Sequence, residues 1–144
     1  MRTFLLVAVP LLMIAPAHAE TDIAAACYTD CEAATQSNPD FKACVARAAD
    51  KADGALNAAF GEVQDAIREG AKAMGQKPDI QLSSFKDAQK SWIAYRDKNC
   101  TFEDQLAFGG TAIGGLYSSC VCALSYERIN DFKRIRTRVL FTDE

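Results

Sequence analysis

The chain has 144 residues, of which 49% are hydrophobic and 24% are charged, a composition typical of one globular domain. Its 16 basic and 19 acidic residues give a formal net charge of −3, which argues against a nucleic-acid partner.

The first 19 residues have the pattern of a secretory signal peptide. Arg2 precedes an apolar run from Phe4 to Ile14, and Ala17-His18-Ala19 is a small-residue cleavage site that predicts a mature chain beginning at Glu20. The run is shorter than the roughly 20 apolar residues that a membrane helix needs, so we expect a periplasmic or secreted protein without membrane insertion after cleavage. A lipoprotein is the alternative, since Ala24-Ala25-Ala26-Cys27 faintly resembles a lipidation site.

Cleavage limits the chemistry that the mature domain, residues 20–144, can perform. It removes Arg2, which leaves 15 basic and 19 acidic residues and a net charge of −4, and it removes His18, the only histidine. Without imidazole the domain has no Ser-His or Cys-His nucleophile pair, no histidine ligand for zinc and no Cys-x-x-Cys-His haem site. We therefore predict no enzyme activity, no cofactor and no metal.

The mature part contains an even number of cysteines, which predicts three disulfides in an exported chain. They are Cys27, Cys31, Cys44, Cys100, Cys120 and Cys122. A thiolate metal site is the alternative, but an oxidising compartment disfavours free thiols and the spacings do not match a zinc ribbon.

Apolar spacing predicts helices from the start of the mature chain. The alanine-rich residues 21–36 indicate a short first helix. Asn38 is a candidate cap and Pro39 suits the first position of a second helix, in which apolar residues recur at steps of three and four. Gly75 and Pro78 end this long helix.

The third predicted helix begins near Asp79 or Ser83 and continues to Leu106. Steps of three and four place one set of residues on a single stripe, namely Phe85, Ala88, Trp92, Tyr95, Asn99 and Phe102. Such a stripe is what a helical bundle needs, so we expect its aromatic members to pack in the core rather than to form a ligand platform.

A loop with two Gly-Gly pairs, residues 108–119, separates the third helix from a fourth that runs from about Ser119 toward Arg136. No strand precedes the glycines and no Gly-Lys-Ser/Thr ending follows, so a phosphate-binding loop is excluded. Strand signals are absent throughout. The expected fold is all-α: a long antiparallel helical hairpin with shorter flanking helices, stapled by disulfides.

An antiparallel hairpin would bring Cys44 and Cys100 to the same end and gather all six thiols there. Six cysteines allow 15 connectivities. Short loops favour pairing Cys31 with Cys44 and Cys100 with Cys120, which leaves Cys27 for Cys122.

The segment from Ala88 to Cys100, AQKSWIAYRDKNC, resembles the Ala-Gln-x-x-Trp-x-x-Tyr/Phe-Arg-Asp-x-x-Cys signature of the lysozyme inhibitor LprI-like N-terminal domain family. Further similarities follow in the family's order over residues 31–132: Cys44 and then Leu56-Asn57, the Gly109-Gly110-Thr111 loop, and Cys120 followed by Leu124-Ser125-x-x-Arg128. The chain departs from the usual pattern at Phe60, where the family has tyrosine, and in its additional Cys27 and Cys122.

The resemblance implies a protein that inhibits lysozyme by binding it, with a basic, C-type lysozyme as the expected partner. For the signature residues Gln89, Trp92, Tyr95, Arg96, Asp97 and Arg128 we predict a structural role. We expect Trp92, Tyr95 and Asn99 to face the core. Ion pairs among Arg96, Asp97, Glu103 and Arg128 would tie the third helix to the fourth.

The glycine loop is the predicted partner-binding site, because rigid helices and a nearby disulfide would present a partly apolar tip with little entropy loss on binding. Its candidate contacts are Thr111, Ile113, Leu116 and Tyr117. The alternative function is an envelope binding module that uses the same loop for another protein or for a peptidoglycan fragment.

Overall fold

The computed structural model describes residues 21–140, with side chains for residues 27–139. The predicted signal peptide and its cleavage site lie outside the described residues. The described chain forms four α-helices and no strand: α1 Thr21–Ala34, α2 Asn38–Ala73, α3 Asp79–Gln105 and α4 Gly115–Leu140. None of these helices is both long and apolar enough to cross a membrane.

The predicted start of α2 is correct, but its cap is one residue earlier than expected. Ser37 has extended backbone angles, and its hydroxyl accepts a hydrogen bond from the backbone N–H of Asp40 at 3.3 Å. Pro39 occupies the first turn, where its missing N–H costs nothing. Asp40 in the same turn favourably faces the positive end of the helix dipole.

The α2 and α3 helices form the predicted antiparallel pair, as shown by contacts of Asp53 with Arg96 and of Phe60 with Phe85. They touch each other little, however, because α4 packs against both of them and forms its largest interface with α2. The α4 helix runs parallel to α2, with its first residue, Gly115, against Phe41. At 26 residues it is shorter than either arm of the hairpin, as expected, and it is the element that joins the two arms.

Close packing at the start of α4 favours a residue without a side chain. A Cβ on Gly115 would lie 3.0 Å from the ring of Phe41, a separation tighter than nine in ten Cβ contacts in proteins, so the ring would have to shift. Gly54 and Gly61, inside α2, are not needed for close packing in this way, since nothing in the described structure lies within 4 Å of a Cβ at either position. Small size therefore matters at Gly115, where α4 approaches α2.

The three disulfides confirm the predicted pairing: Cys27–Cys122, Cys31–Cys44 and Cys100–Cys120. They connect α1 to α4, α1 to α2, and α3 to α4. Together they define one end of the molecule, which we call the disulfide end. The bond from Cys27 to Cys122 also engages the thiol that lipidation would need.

Two buried clusters form the core. At the disulfide end four of the half-cystines, Cys27, Cys100, Cys120 and Cys122, pack with Ala49, Ala52 and Val121. Farther along, Leu56, Val63, Ile129 and Phe132 form a second cluster, against which several aromatic side chains pack, including Phe60, Phe85 and Trp92.

The predicted apolar stripe of α3 is wrong for two of its aromatic residues. Tyr95 is 57% exposed and Phe102 is 58% exposed, whereas the buried residues of α3 are Gln89, Arg96 and Cys100. The buried side is rotated by about one residue, or roughly 100° around the helix. The Cys100–Cys120 bond and the hydrogen bonds of two polar side chains hold this side against α4.

Candidate partner-binding site

Arg96 is the centre of a polar network that joins three helices. Its side chain, 8% exposed, pairs with Asp53 of α2 at 2.5 Å and with the adjacent Asp97 at 3.0 Å. It also donates a hydrogen bond to the hydroxyl of the fully buried Ser125 in α4, at 3.0 Å. Burial alone would lower the pKa of Arg96, but the two carboxylates outweigh it, and the pKa is raised. Arg96 therefore stays charged while buried.

Trp92 packs between two guanidinium groups. The central guanidinium carbons of Arg96 and Arg128 each lie 5.5 Å from its ring centroid, a distance at which cation–π attraction operates. Arg128 also donates a hydrogen bond to the amide oxygen of Gln89 at 3.2 Å and pairs with Asp131 within α4. The signature side chains Gln89, Trp92, Arg96 and Arg128 thus meet between α3 and α4.

Glu103 and Tyr95 are not part of this network. Glu103 accepts a hydrogen bond from Asn99, one turn earlier on the same helix, at 2.8 Å. The expected tie from α3 to α4 through Glu103 is therefore wrong, and Ser125 and Gln89 supply that link instead. Tyr95 points away from the core, as its 57% exposure shows.

The glycine-rich segment is a compact turn over residues 106–114, which we call the tip loop. Its ends are joined through the Cys100–Cys120 disulfide. The Asp104 carboxylate accepts hydrogen bonds from the backbone N–H groups of Gly114 at 2.6 Å and of Tyr117 at 3.1 Å. A side chain from α3 therefore caps α4 and closes the loop, a role that local sequence patterns did not reveal.

The structure divides the predicted contact residues into two groups. Thr111 and Ile113 lie in the tip loop and are exposed, Ile113 by 43%. Leu116 and Tyr117 are half-buried in the first turn of α4, and Tyr117 packs on the disulfide-end cluster. The expected loop up to Ser119 is wrong, because α4 begins four residues earlier.

Phe108 is the most exposed large apolar side chain at the tip, and the sequence analysis did not select it. It is 90% exposed, and its backbone φ of 47° lies in the left-handed region that bulky residues avoid. The only sequence feature that could have indicated an exposed aromatic side chain here is the position of Phe108 next to a Gly-Gly pair.

Among the residues whose side chains the structure describes, 27–139, the two ends of the molecule carry opposite charge. Residues 27–53 and 97–124, which surround the disulfides, contain eight acidic and four basic side chains. Residues 54–96 and 125–139, toward the opposite end, contain seven acidic and eleven basic ones. We call these the acidic half and the basic half, with net charges of −4 and +4, and the tip loop lies in the acidic half.

We expect Asp104→Ala to lower the free energy of unfolding by about 1 to 2 kcal/mol, since it removes a helix cap and leaves two N–H groups unpaired. Glu103→Ala is the matched control, because Glu103 is itself exposed and accepts a hydrogen bond only from Asn99 on the same helix, and its replacement should change stability by less than about 0.5 kcal/mol. Urea unfolding measures both. Equal stability of the two variants would show that Asp104 does not hold the loop.

No group of three or more Asp, Glu, His or Cys side chains within the described residues is arranged to hold a metal ion. All six cysteines are engaged in disulfides.

Comparison with known proteins identifies the family. The model of the family described as lysozyme inhibitor LprI matches residues 29–132. The chain belongs to the lysozyme inhibitor LprI family. The matched range covers α2, α3 and most of α4, and it excludes Cys27 but includes Cys122.

Two relatives of the LprI family member described here carry no functional description in their names. One is uncharacterized protein R02472 of Rhizobium meliloti (strain 1021), 31% identical over 112 residues that cover 74% of this chain and 78% of the relative. The other is uncharacterized protein YecT of Escherichia coli (strain K12), 35% identical over 61 residues that cover 42% of this chain and 38% of the relative. No solved structure matches the chain.

Proposed function

We propose that this protein is a periplasmic or secreted inhibitor that binds lysozyme, occludes its active-site cleft and catalyses no reaction. The observation that carries the proposal is membership of the lysozyme inhibitor LprI family over residues 29–132. Three disulfides suit the oxidising compartment in which such an inhibitor meets lysozyme.

The charge distribution supports a basic, C-type lysozyme as the partner. Animal lysozymes are strongly basic, and the acidic half of this protein would attract them and accelerate the encounter. Because the tip loop lies in the acidic half, attraction and contact are directed to the same end of the molecule. The basic half would turn away from the approaching enzyme.

The tip loop is the element that enters the cleft. Lysozyme hydrolyses glycan with two carboxyl groups that flank the sugar, so an inhibitor needs only to fill that space. Phe108 and Ile113 offer apolar surface, and the hydroxyl of Thr111 can donate to a carboxylate. Leu116 and Tyr117 support the loop from the first turn of α4 and contact the enzyme at its edge.

The double variant Phe108→Gly/Ile113→Ser tests this assignment. We expect at least a roughly thirty-fold weaker inhibition of cell-wall lysis by a C-type lysozyme, because binding energy concentrates in a few large side chains. Folding should be preserved, since both side chains are exposed and glycine accepts the positive φ at position 108 without strain.

Ile80→Ser is the matched control for the loop variant. Ile80 is 79% exposed at the beginning of α3, in the basic half, so its replacement should leave inhibition unchanged. A loop variant that inhibits as strongly as the parent would remove the tip loop from the binding site.

A further inference from the structure

Exposed large apolar side chains concentrate on α3 and the tip loop. Eight are exposed in the described structure: Met74, Ile80, Ile93, Tyr95, Phe102, Leu106, Phe108 and Ile113. Six of these eight lie between residues 93 and 113, a region that ends at the tip loop. Exposed apolar side chains that cluster on one face mark an interaction site, whereas single exposed apolar residues need no explanation.

Two of these side chains share one face of α3, and a third, Leu106, the residue directly after the helix and the first of the tip loop, continues the row. Tyr95, Phe102 and Leu106 are separated by seven and four residues, so they lie above one another along the helix. They are 57%, 58% and 50% exposed. At 1.5 Å per residue the row is about 16 Å long. We call it the α3 outer face.

The α3 outer face continues into the tip loop. Leu106 is both the last residue of the row and the residue that caps the C-terminal end of α3, after which the chain turns toward Phe108. Because no other residue intervenes except Ala107, the helix face and the loop meet at this point. They form one surface with two parts rather than two separate sites.

A lysozyme complex needs more area than the tip loop supplies. A stable protein–protein interface of standard size buries about 800 Å² on each partner and involves about 20 to 30 residues per side. The tip loop contains only nine residues, 106–114. Additional contact surface must therefore lie beside it, and the α3 outer face is the neighbouring surface whose large apolar side chains are half exposed or more.

We propose that the α3 outer face, Tyr95 with Phe102 and Leu106, is the second part of the lysozyme-binding surface. The inference rests on the proposed function, since lysozyme is the partner proposed there. It assigns the tip loop to the cleft and the α3 outer face to the enzyme surface beside the cleft.

Charge around the row fits a basic partner. Phe102 and Leu106 lie in the acidic half, where α3 carries Asp97, Glu103 and Asp104 against the single base Lys98. Asp104 is occupied by the loop, but Glu103 is exposed beside the row. An apolar row with acidic neighbours has the composition expected of a contact with a cationic protein surface.

The double variant Tyr95→Ser/Phe102→Ser tests the proposal in the full mature protein. Calorimetric titration with a C-type lysozyme should show at least a roughly ten-fold increase in Kd, while circular dichroism and the melting temperature stay close to those of the parent. Ile80→Ser, on the same helix but at the basic end, should leave the Kd unchanged.

A second variant tests the same surface with a substitution that should not destabilise the helix. Phe102→Lys places a good helix former at an exposed position and adds positive charge where a basic partner would approach. We expect at least as large an increase in Kd, and the increase should shrink at high salt as the added repulsion is screened.

The outcomes separate this proposal from the proposed function. Suppose that the parent binds lysozyme and the tip-loop variant binds it more weakly, while both α3 variants bind like the parent. The proposal that the α3 outer face contacts lysozyme is then wrong, and the inhibitor function stands. If the parent does not bind lysozyme, both proposals fall. If the parent is a dimer that the α3 variants dissociate without weakening lysozyme binding, a second copy of this chain covers the face, and the proposal is wrong.

Discussion

Replacing Cys27 and Cys122 together with alanine is expected to lower the free energy of unfolding by about 4 kcal/mol. The two cysteines are 95 residues apart, so their bond restricts the unfolded chain over almost the whole domain, even after the other two bridges shorten the loop. The bond also links α1 to α4, and both half-cystines are nearly inaccessible, 1% and 2% exposed.

The matched comparison is Cys31→Ala/Cys44→Ala, which opens a loop of only 13 residues. We expect a smaller loss, about 3 kcal/mol. Urea unfolding of the two variants, each with its remaining bridges intact, measures the difference. A greater loss from the short bridge would show that native packing around the cystines, and not chain restriction, determines their contribution.

Trp92→Ala is expected to destabilise the domain by about 3 kcal/mol. The indole packs on the cluster that contains Phe132, and it separates the guanidinium groups of Arg96 and Arg128. Its removal would leave a cavity between α3 and α4 and end two cation–π contacts.

Ile93→Ala is the control for Trp92, because the neighbouring Ile93 is 36% exposed and its truncation should cost less than about 1 kcal/mol. Thermal unfolding compares the two variants. If Trp92→Ala kept the parent's melting temperature but lost lysozyme binding, Trp92 would be a contact residue and not part of the scaffold.

The helices and the disulfides could be predicted from the sequence for physical reasons. Ser37-Asn38-Pro39-Asp40 carries the cap and first-turn chemistry of a helix start, and the structure places the start of α2 there. The disulfide pairing followed from short loops and a hairpin, both of which are local properties.

The start of α4 could not be predicted locally because its cap comes from elsewhere. The helix begins at a Gly-Gly pair, Gly114 and Gly115, which has no side chain to cap it, so the sequence predicts a loop that continues to Ser119. Asp104, ten residues before Gly114, supplies the acceptor. A cap from another helix is a tertiary contact, and it leaves no pattern in the neighbouring sequence.

The buried side of α3 could not be read from apolar spacing. Two stripes compete on this helix, one containing Tyr95 and Phe102, and the other Gln89 and Arg96. The second is more polar, yet it is buried because Asp53, Ser125 and Arg128 satisfy its hydrogen bonds. The apolar stripe faces solvent instead, and its exposed residues Tyr95 and Phe102 form part of the α3 outer face.

The glycine-rich segment forms a loop as predicted, but the loop ends at Gly114 rather than at Ser119, and not all of its predicted contact residues are exposed. Thr111 and Ile113 are exposed in the loop, while Tyr117 lies in α4 and packs against the buried cluster at the disulfide end. The exposure of Phe108 could not be predicted, because an isolated aromatic residue beside glycines belongs to no periodic pattern. Exposure depends on the turn conformation, which only the folded chain defines.

The most direct measurement of the central claim is the rate of bacterial cell-wall lysis by a C-type lysozyme in the presence of the mature parent protein. We expect micromolar protein to suppress lysis, and inhibition to weaken as salt screens the attraction between the acidic half and the basic enzyme. Unchanged lysis at that concentration, with no binding in a parallel titration, would contradict the inhibitor function and favour an envelope binding module with a different partner.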